Sequence, residues 1–64
     1  MMKKYRVRFG AGYELVVAAD LYRLEPAGLR AFVSFFRETF WGRVRLASYA
    51  VEAVLSVEPV TDEK

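Results

Sequence analysis

The chain contains no cysteine, histidine, asparagine, glutamine or isoleucine. Without cysteine there is neither a disulfide nor a thiolate ligand to staple so short a fold. Without histidine the usual general base near neutral pH and the commonest zinc ligand are missing as well. Ser34, Ser48 and Ser56 have no imidazole to activate them, and the lysines stand only at the two ends of the chain. Carboxylates remain. Glu14 and Asp20 can share one face of a strand, but on an exposed, twisted strand they read as solvated charges rather than an acid pair or a hard-metal site. The expectation is a protein that is not an enzyme, with no catalytic, cofactor or metal site. No apolar run is long enough to span a bilayer, and Met1-Met2-Lys3-Lys4 leads into an alternating segment instead of a signal-peptide core. A soluble cytoplasmic protein without a membrane partner is expected. The loss of Asn, Gln and Cys, with Arg and Glu carrying most of the charge, also fits a thermophile, and a GC-rich genome would leave the same bias.

What is present is apolar and aromatic. Sixty-four residues make one small domain near the lower limit for a self-supporting core, and a 55% apolar content with 16% aromatics must supply the stability. Some of that surface can be buried between subunits. The formal charge of +2 is unevenly spread. Residues 1–45 carry nine Lys and Arg against four acids, whereas 46–64 set Lys64 against Glu52, Glu58, Asp62 and Glu63. A basic front permits nucleic-acid contact; an acidic end offsetting a basic edge on one solvated surface explains the same asymmetry.

The stretch Leu29 to Trp41 holds four of the five phenylalanines and the only tryptophan. Read by alternation, Leu29, Ala31, Val33 and Phe35 form one apolar face and Arg30, Phe32, Ser34, Phe36 and Glu38 a mixed one. Read at helical spacing, Leu29, Phe32, Val33, Phe36 and Phe40 also align, with Pro26 near a first turn and Gly42 past an end. The aromatic and β-branched content, and Gly28 and Ser34 as poor helix-interior residues, favour the strand.

Elsewhere Lys4 to Phe9 alternates, with Tyr5, Val7 and Phe9 on one face and Lys4, Arg6 and Arg8 on the other. Gly10-Ala11-Gly12 begins like a dinucleotide-binding fingerprint, yet Leu15 stands where a third small residue is needed. It reads instead as a hairpin turn that brings Phe9 to Tyr13 and Arg8 to Glu14. A long strand from Tyr13 to about Leu24 would keep Tyr13, Leu15, Val17, Ala19 and Leu21 inward. At Ala18-Ala19-Asp20 a bend or bulge would pass it from one half of a barrel to the other. Glu25-Pro26-Ala27-Gly28 reads as a β-turn. Glu38 to Gly42 is the next reversal, followed by a strand with Val44 and Leu46 inward. About one helical turn is expected within Ser48 to Ala53, and Val54 to Glu58 closes as a short strand ended by Pro59. Residues 3–59 should fold, with 60–64 a frayed acidic tail.

Five short strands with one helical turn before the last is the arrangement of a small SH3-like or Sm-like barrel, an all-β fold. The alternative is an α+β domain with a helix at 26–41 on a β-sheet. Tyr5-Arg6-Val7 before a Gly turn, Ala19-Asp20-Leu21-Tyr22 and the closing Val54-Leu55-Ser56-Val57-Glu58 together resemble small bacterial and phage β proteins. That resemblance spans residues 4 to 59 and implies a fold only, since the group has no activity to carry over. The aromatic stretch departs from the more polar turn expected of it. If that stretch is a strand, Phe32 and Phe36 point out of the core and Phe40-Trp41 sits at a turn, a patch that marks an interface. The leading expectation is a non-catalytic interaction or assembly module, a homo-oligomer and most simply a dimer, formed through Phe32, Phe36, Phe40 and Trp41. Another protein is a further candidate partner. The alternative is a single-stranded RNA- or DNA-binding barrel, with the same rings stacking on bases beside Lys4, Arg6, Arg8, Arg43 and Arg45.

Overall fold

A computed structural model describes residues 2–60. Six strands follow one another in the order β1 (Lys3–Phe9), β2 (Glu14–Ala19), β3 (Leu21–Ala27), β4 (Arg30–Thr39), β5 (Gly42–Ala50) and β6 (Val54–Pro59). One 3-10 turn, Val51–Ala53, precedes the last strand. Two antiparallel three-stranded sheets result, β2-β1-β6 (sheet A) and β3-β4-β5 (sheet B).

The protein is therefore all-β, and the helix considered for 26–41 does not form. Those residues span the end of β3, a turn, β4 and the tip beyond it. Ring-bearing and β-branched side chains fit both faces of a pleated strand, and in β4 both faces are covered at Val33 to Phe36, all four buried. The closed five-stranded barrel is corrected as well. The segment from Tyr13 to Leu24 breaks at Asp20 into β2 in one sheet and β3 in the other, which gives six strands, and no ladder joins the two sheets. Asp20 fixes this corner. Its N–H donates to the Phe36 carbonyl at 2.8 Å, and its carboxylate accepts the Glu38 N–H at 2.6 Å.

Tyr5, Val7, Phe9 and Ala19 from sheet A meet Val33 and Phe35 from sheet B to form the core. Rings connect it from end to end. Tyr22 lies 5.1 Å from Tyr5, Tyr5 5.9 Å from Phe35, Phe35 6.1 Å from Tyr49, Tyr49 5.3 Å from Phe9 and Phe9 4.8 Å from Tyr13. Edge-on and offset contacts of this kind add to the stabilisation that burial gives each ring.

The first hairpin has Arg8 opposite Glu14, as the alternation requires. The ion pair, however, runs diagonally from Arg6 to Glu14 at 2.9 Å. Tyr13 and Leu15 lie in the inward register yet are exposed, and so are Val44 and Leu46, because the opposing sheet does not reach them. Pro26 belongs to β3 and pairs with Ala31. An edge strand tolerates it, since its missing N–H faces outward. The turn is moved to Gly28-Leu29, where Gly28 takes the positive φ (67°) that the first position of a primed turn demands. β5 continues to Ala50, so the 3-10 turn is confined to Val51–Ala53. Val60 is tied down by its N–H to the Lys4 carbonyl at 2.8 Å, and the rest of the expected tail lies outside the described residues.

With a radius of gyration of 12.3 Å, against about 11 Å for a compact chain of this length, the fold is thin and spread out. No helix among the described residues is long and apolar enough to cross a membrane.

Candidate interaction face on sheet B

The outward face of sheet B is built from β4 and its two neighbours. Phe32, Ser34, Phe36 and Glu38 alternate with core residues, and the first three of them pair across to Glu25, Arg23 and Leu21 on β3. On the other side they pair with Ala50, Ser48, Arg45 and Arg43 on β5. A register shift between Phe35 and Phe36, with Leu46 as the extra residue on β5, puts Arg45 and Ser48 on the same face although they are three positions apart.

Three features share this face. At one end is a cup of about 370 Å³, walled by Pro26, Ala27 and Phe32 and floored by Glu25, Ser34, Arg45 and Ser48. In its floor Arg45 binds Glu25 at 2.7 Å and the Ser34 and Ser48 hydroxyls lie 2.8 Å apart. The Ser34 hydroxyl and the Arg45 guanidinium both favour the charged form of the Glu25 carboxyl. In the middle Phe36, only 6% exposed, lies beneath two guanidinium groups, Arg45 at 5.6 Å and Arg43 at 6.0 Å from its centroid.

At the far end the β4–β5 hairpin turns through Phe40 and Trp41, which are 91% and 90% exposed. The Thr39 hydroxyl donates to the Gly42 carbonyl at 2.7 Å and accepts the Trp41 N–H at 3.1 Å. Arg43 and Glu38 pair across the base of the turn at 3.1 Å. Neither ring residue has positive φ, because Gly42 takes it (131°). The tip is thus held firmly by its backbone while both rings, edge-on at 5.0 Å, stand in solvent.

The hydroxyl of Ser34 and, after it, the Arg45 guanidinium hold the Glu25 carboxyl below its ordinary value of 4.5. A group whose pKa is lowered by folding adds stability that is present above that ordinary value and is lost as the pH falls through the lowered one. Glu25→Gln should therefore lower the melting temperature near neutral pH, and the gap to the parent should close below pH 4.5. Thermal unfolding followed by circular dichroism across that range tests this; a gap independent of pH would refute it.

Of the residues expected from sequence, Phe32, Phe36, Arg43 and Arg45 lie on this face and Phe40 and Trp41 at its end. Lys4, Arg6 and Arg8 do not join them. They alternate with the core residues Tyr5, Val7 and Phe9, and so lie on the outer face of sheet A, across the sandwich. Glu14 and Asp20 sit at opposite ends of β2, about 20 Å apart along the strand, so they form no acid pair. Glu25, Ser34 and Ser48 did not stand out in the sequence. Their only sign is the outward register of β3, β4 and β5. Comparison of the chain with family models, with curated proteins and with solved structures yields no match.

Proposed function

We propose that this chain is a non-catalytic assembly module that associates with itself through the outer face of sheet B and the hairpin tip at its end. One observation carries the reading: Phe40 and Trp41, each able to bury 150–250 Å² or so, are held on a rigid turn with nothing covering them. The thin shape and the uncovered inward residues Tyr13, Leu15, Leu24 and Val44 support it, since a lone copy leaves much apolar surface in water. The same reading takes the fold as an open form of the SH3-like barrel. Its support is the chain path: a strand bent at Asp20 that serves both sheets, and a single turn of helix before a last strand that returns to β1. A nucleic-acid surface has less support. The basic residues divide between opposite faces, and Arg6, Arg43 and Arg45 are each paired with a carboxylate.

Sedimentation velocity at low and high salt, with and without a fluorescent oligo-U, tests the proposal. The expected result is a dimer that ignores both salt and oligonucleotide and that dissociates in the double variant Phe40→Ser, Trp41→Ser with its circular dichroism unchanged. A monomer at all concentrations refutes it. So does comigration with the oligonucleotide that fades as salt rises, the signature of phosphate contacts.

A further inference from the structure

The cup and the tip lie at opposite ends of one strand, and each has the chemistry the other lacks. An indole ring needs apolar walls, an acceptor for its N–H and, on its face, a cation. The cup supplies Pro26 and Phe32 as walls, the Glu25 carboxylate as acceptor and Arg45 as cation. At about 370 Å³ it is of the size that takes a small ring system. The chain's sole tryptophan is the ring that stands free.

We infer that the cup of one copy receives Trp41 of a second copy, reciprocally, about a twofold axis that passes near Phe36. This rests on the self-association proposed above and specifies its geometry. From Trp41 back to Ser34 is seven positions along the hairpin, about 23 Å. A twofold axis lying over the midpoint of that span, parallel to the sheet and perpendicular to β4, stacks the two outer faces with their β4 strands antiparallel and sets each tip over the partner copy's cup. Aligned face-to-face packing of sheets accommodates this arrangement. That midpoint falls between Arg37 and Glu38, so Phe36 with its two arginines lies beside the centre. Most of the charge on this face is matched within it, Arg30, Arg43 and Arg45 by Glu52, Glu38 and Glu25, and Arg23 opposite Ser34 adds one further cation. The contact is isologous, so it closes at two copies instead of propagating.

Trp41 reports on its own docking, since no other indole contributes. Emission and acrylamide quenching are read on the samples used for sedimentation, over a concentration series. As the dimer fills, emission should shift to the blue and quenching should fall. Ala27→Arg, which blocks the cup from an exposed position, should weaken association about 30-fold, as expected for loss of a central aromatic anchor. Trp41→Ala should do the same. A mixture of these two variants regains one tip and one open cup, and it should associate more tightly than either alone.

A dimer whose tryptophan stays solvated and fully quenchable overturns the tip-in-cup contact while leaving self-association through another surface. A mixture no tighter than its components, or species that keep growing beyond two copies, overturns the reciprocal twofold. No association in the parent at any concentration removes the self-association reading itself.

Discussion

Phe35→Ala should leave the chain largely unfolded at room temperature. Phe35 is fully buried between the sheets, within about 6 Å of the Tyr5, Tyr22 and Tyr49 rings. Emptying such a site costs about 3–5 kcal/mol. A domain of this length has a total stability of only about 3–10 kcal/mol. Phe36→Ala is the informative partner. Phe36 is almost as hidden, but it is covered by guanidinium groups on the outer face rather than by a second sheet. Its loss should cost a fraction of the Phe35 value, because the arginines can settle into the space and water can reach it. Urea unfolding of both variants, followed by near-ultraviolet circular dichroism, measures the difference. If Phe36→Ala proved the more damaging, the assignment of faces along β4 would be wrong.

Gly42→Ala should destabilise by about 1–3 kcal/mol even though the new methyl group meets nothing within 4 Å. The cost is all backbone. At φ 131° an L-residue is strained, and the turn cannot pass the strain to Phe40 or Trp41 without giving either of them positive φ. Gly10→Ala is the control. Gly10 has no positive φ, its surroundings are equally open, and its N–H bond to the Ala53 carbonyl at 3.0 Å is retained. Alanine there should be neutral or stabilising by about 0.4–1 kcal/mol, through the unfolded chain. Equal effects at the two glycines in denaturant unfolding would show that the tip does not depend on the Gly42 conformation. If Gly42→Ala also loosens the tip, Trp41 should become more mobile, which fluorescence anisotropy reads directly.

These two positions also mark what could be read from sequence. Alternation separates core from outward residues in Lys4 to Phe9, and in Ala31 to Glu38 once the aromatic and β-branched content has decided against the helical spacing, because a strand with one face buried leaves no freedom of register. The bend at Ala18-Ala19-Asp20 was legible too, from two small residues followed by one that bonds to backbone. Coverage was not. Tyr13 and Leu15 have the right parity for the core, but parity names a face and says nothing of whether the opposing sheet extends over it. The cup was hidden for a different reason. It draws Glu25, Ser34, Arg45 and Ser48 from three strands, and Arg45 and Ser48 have opposite parity until the irregularity at Leu46 brings them together. No local pattern announces a bulge of that kind. Pro26 misled by its usual habit, since a turn is where proline is expected and an edge strand is where it is merely tolerated.

The strand order of sheet A bears on the chain's history during synthesis. Sheet B is made of consecutive hairpins and is fully specified once Ala50 has been added. β1 is not so placed: Tyr5 pairs with Val17 soon after it emerges, but also with Pro59, almost the whole chain away. Until β6 leaves the ribosome, one side of β1 has no neighbour, and Val7 and Phe9 lack their cross-strand partners Val57 and Val54. Sequence-distant pairing of this sort slows folding. A nascent chain stalled before Val54 would present an unsatisfied strand edge beside an apolar surface, so for this protein the last six strand residues are what convert a template for aggregation into a finished sheet.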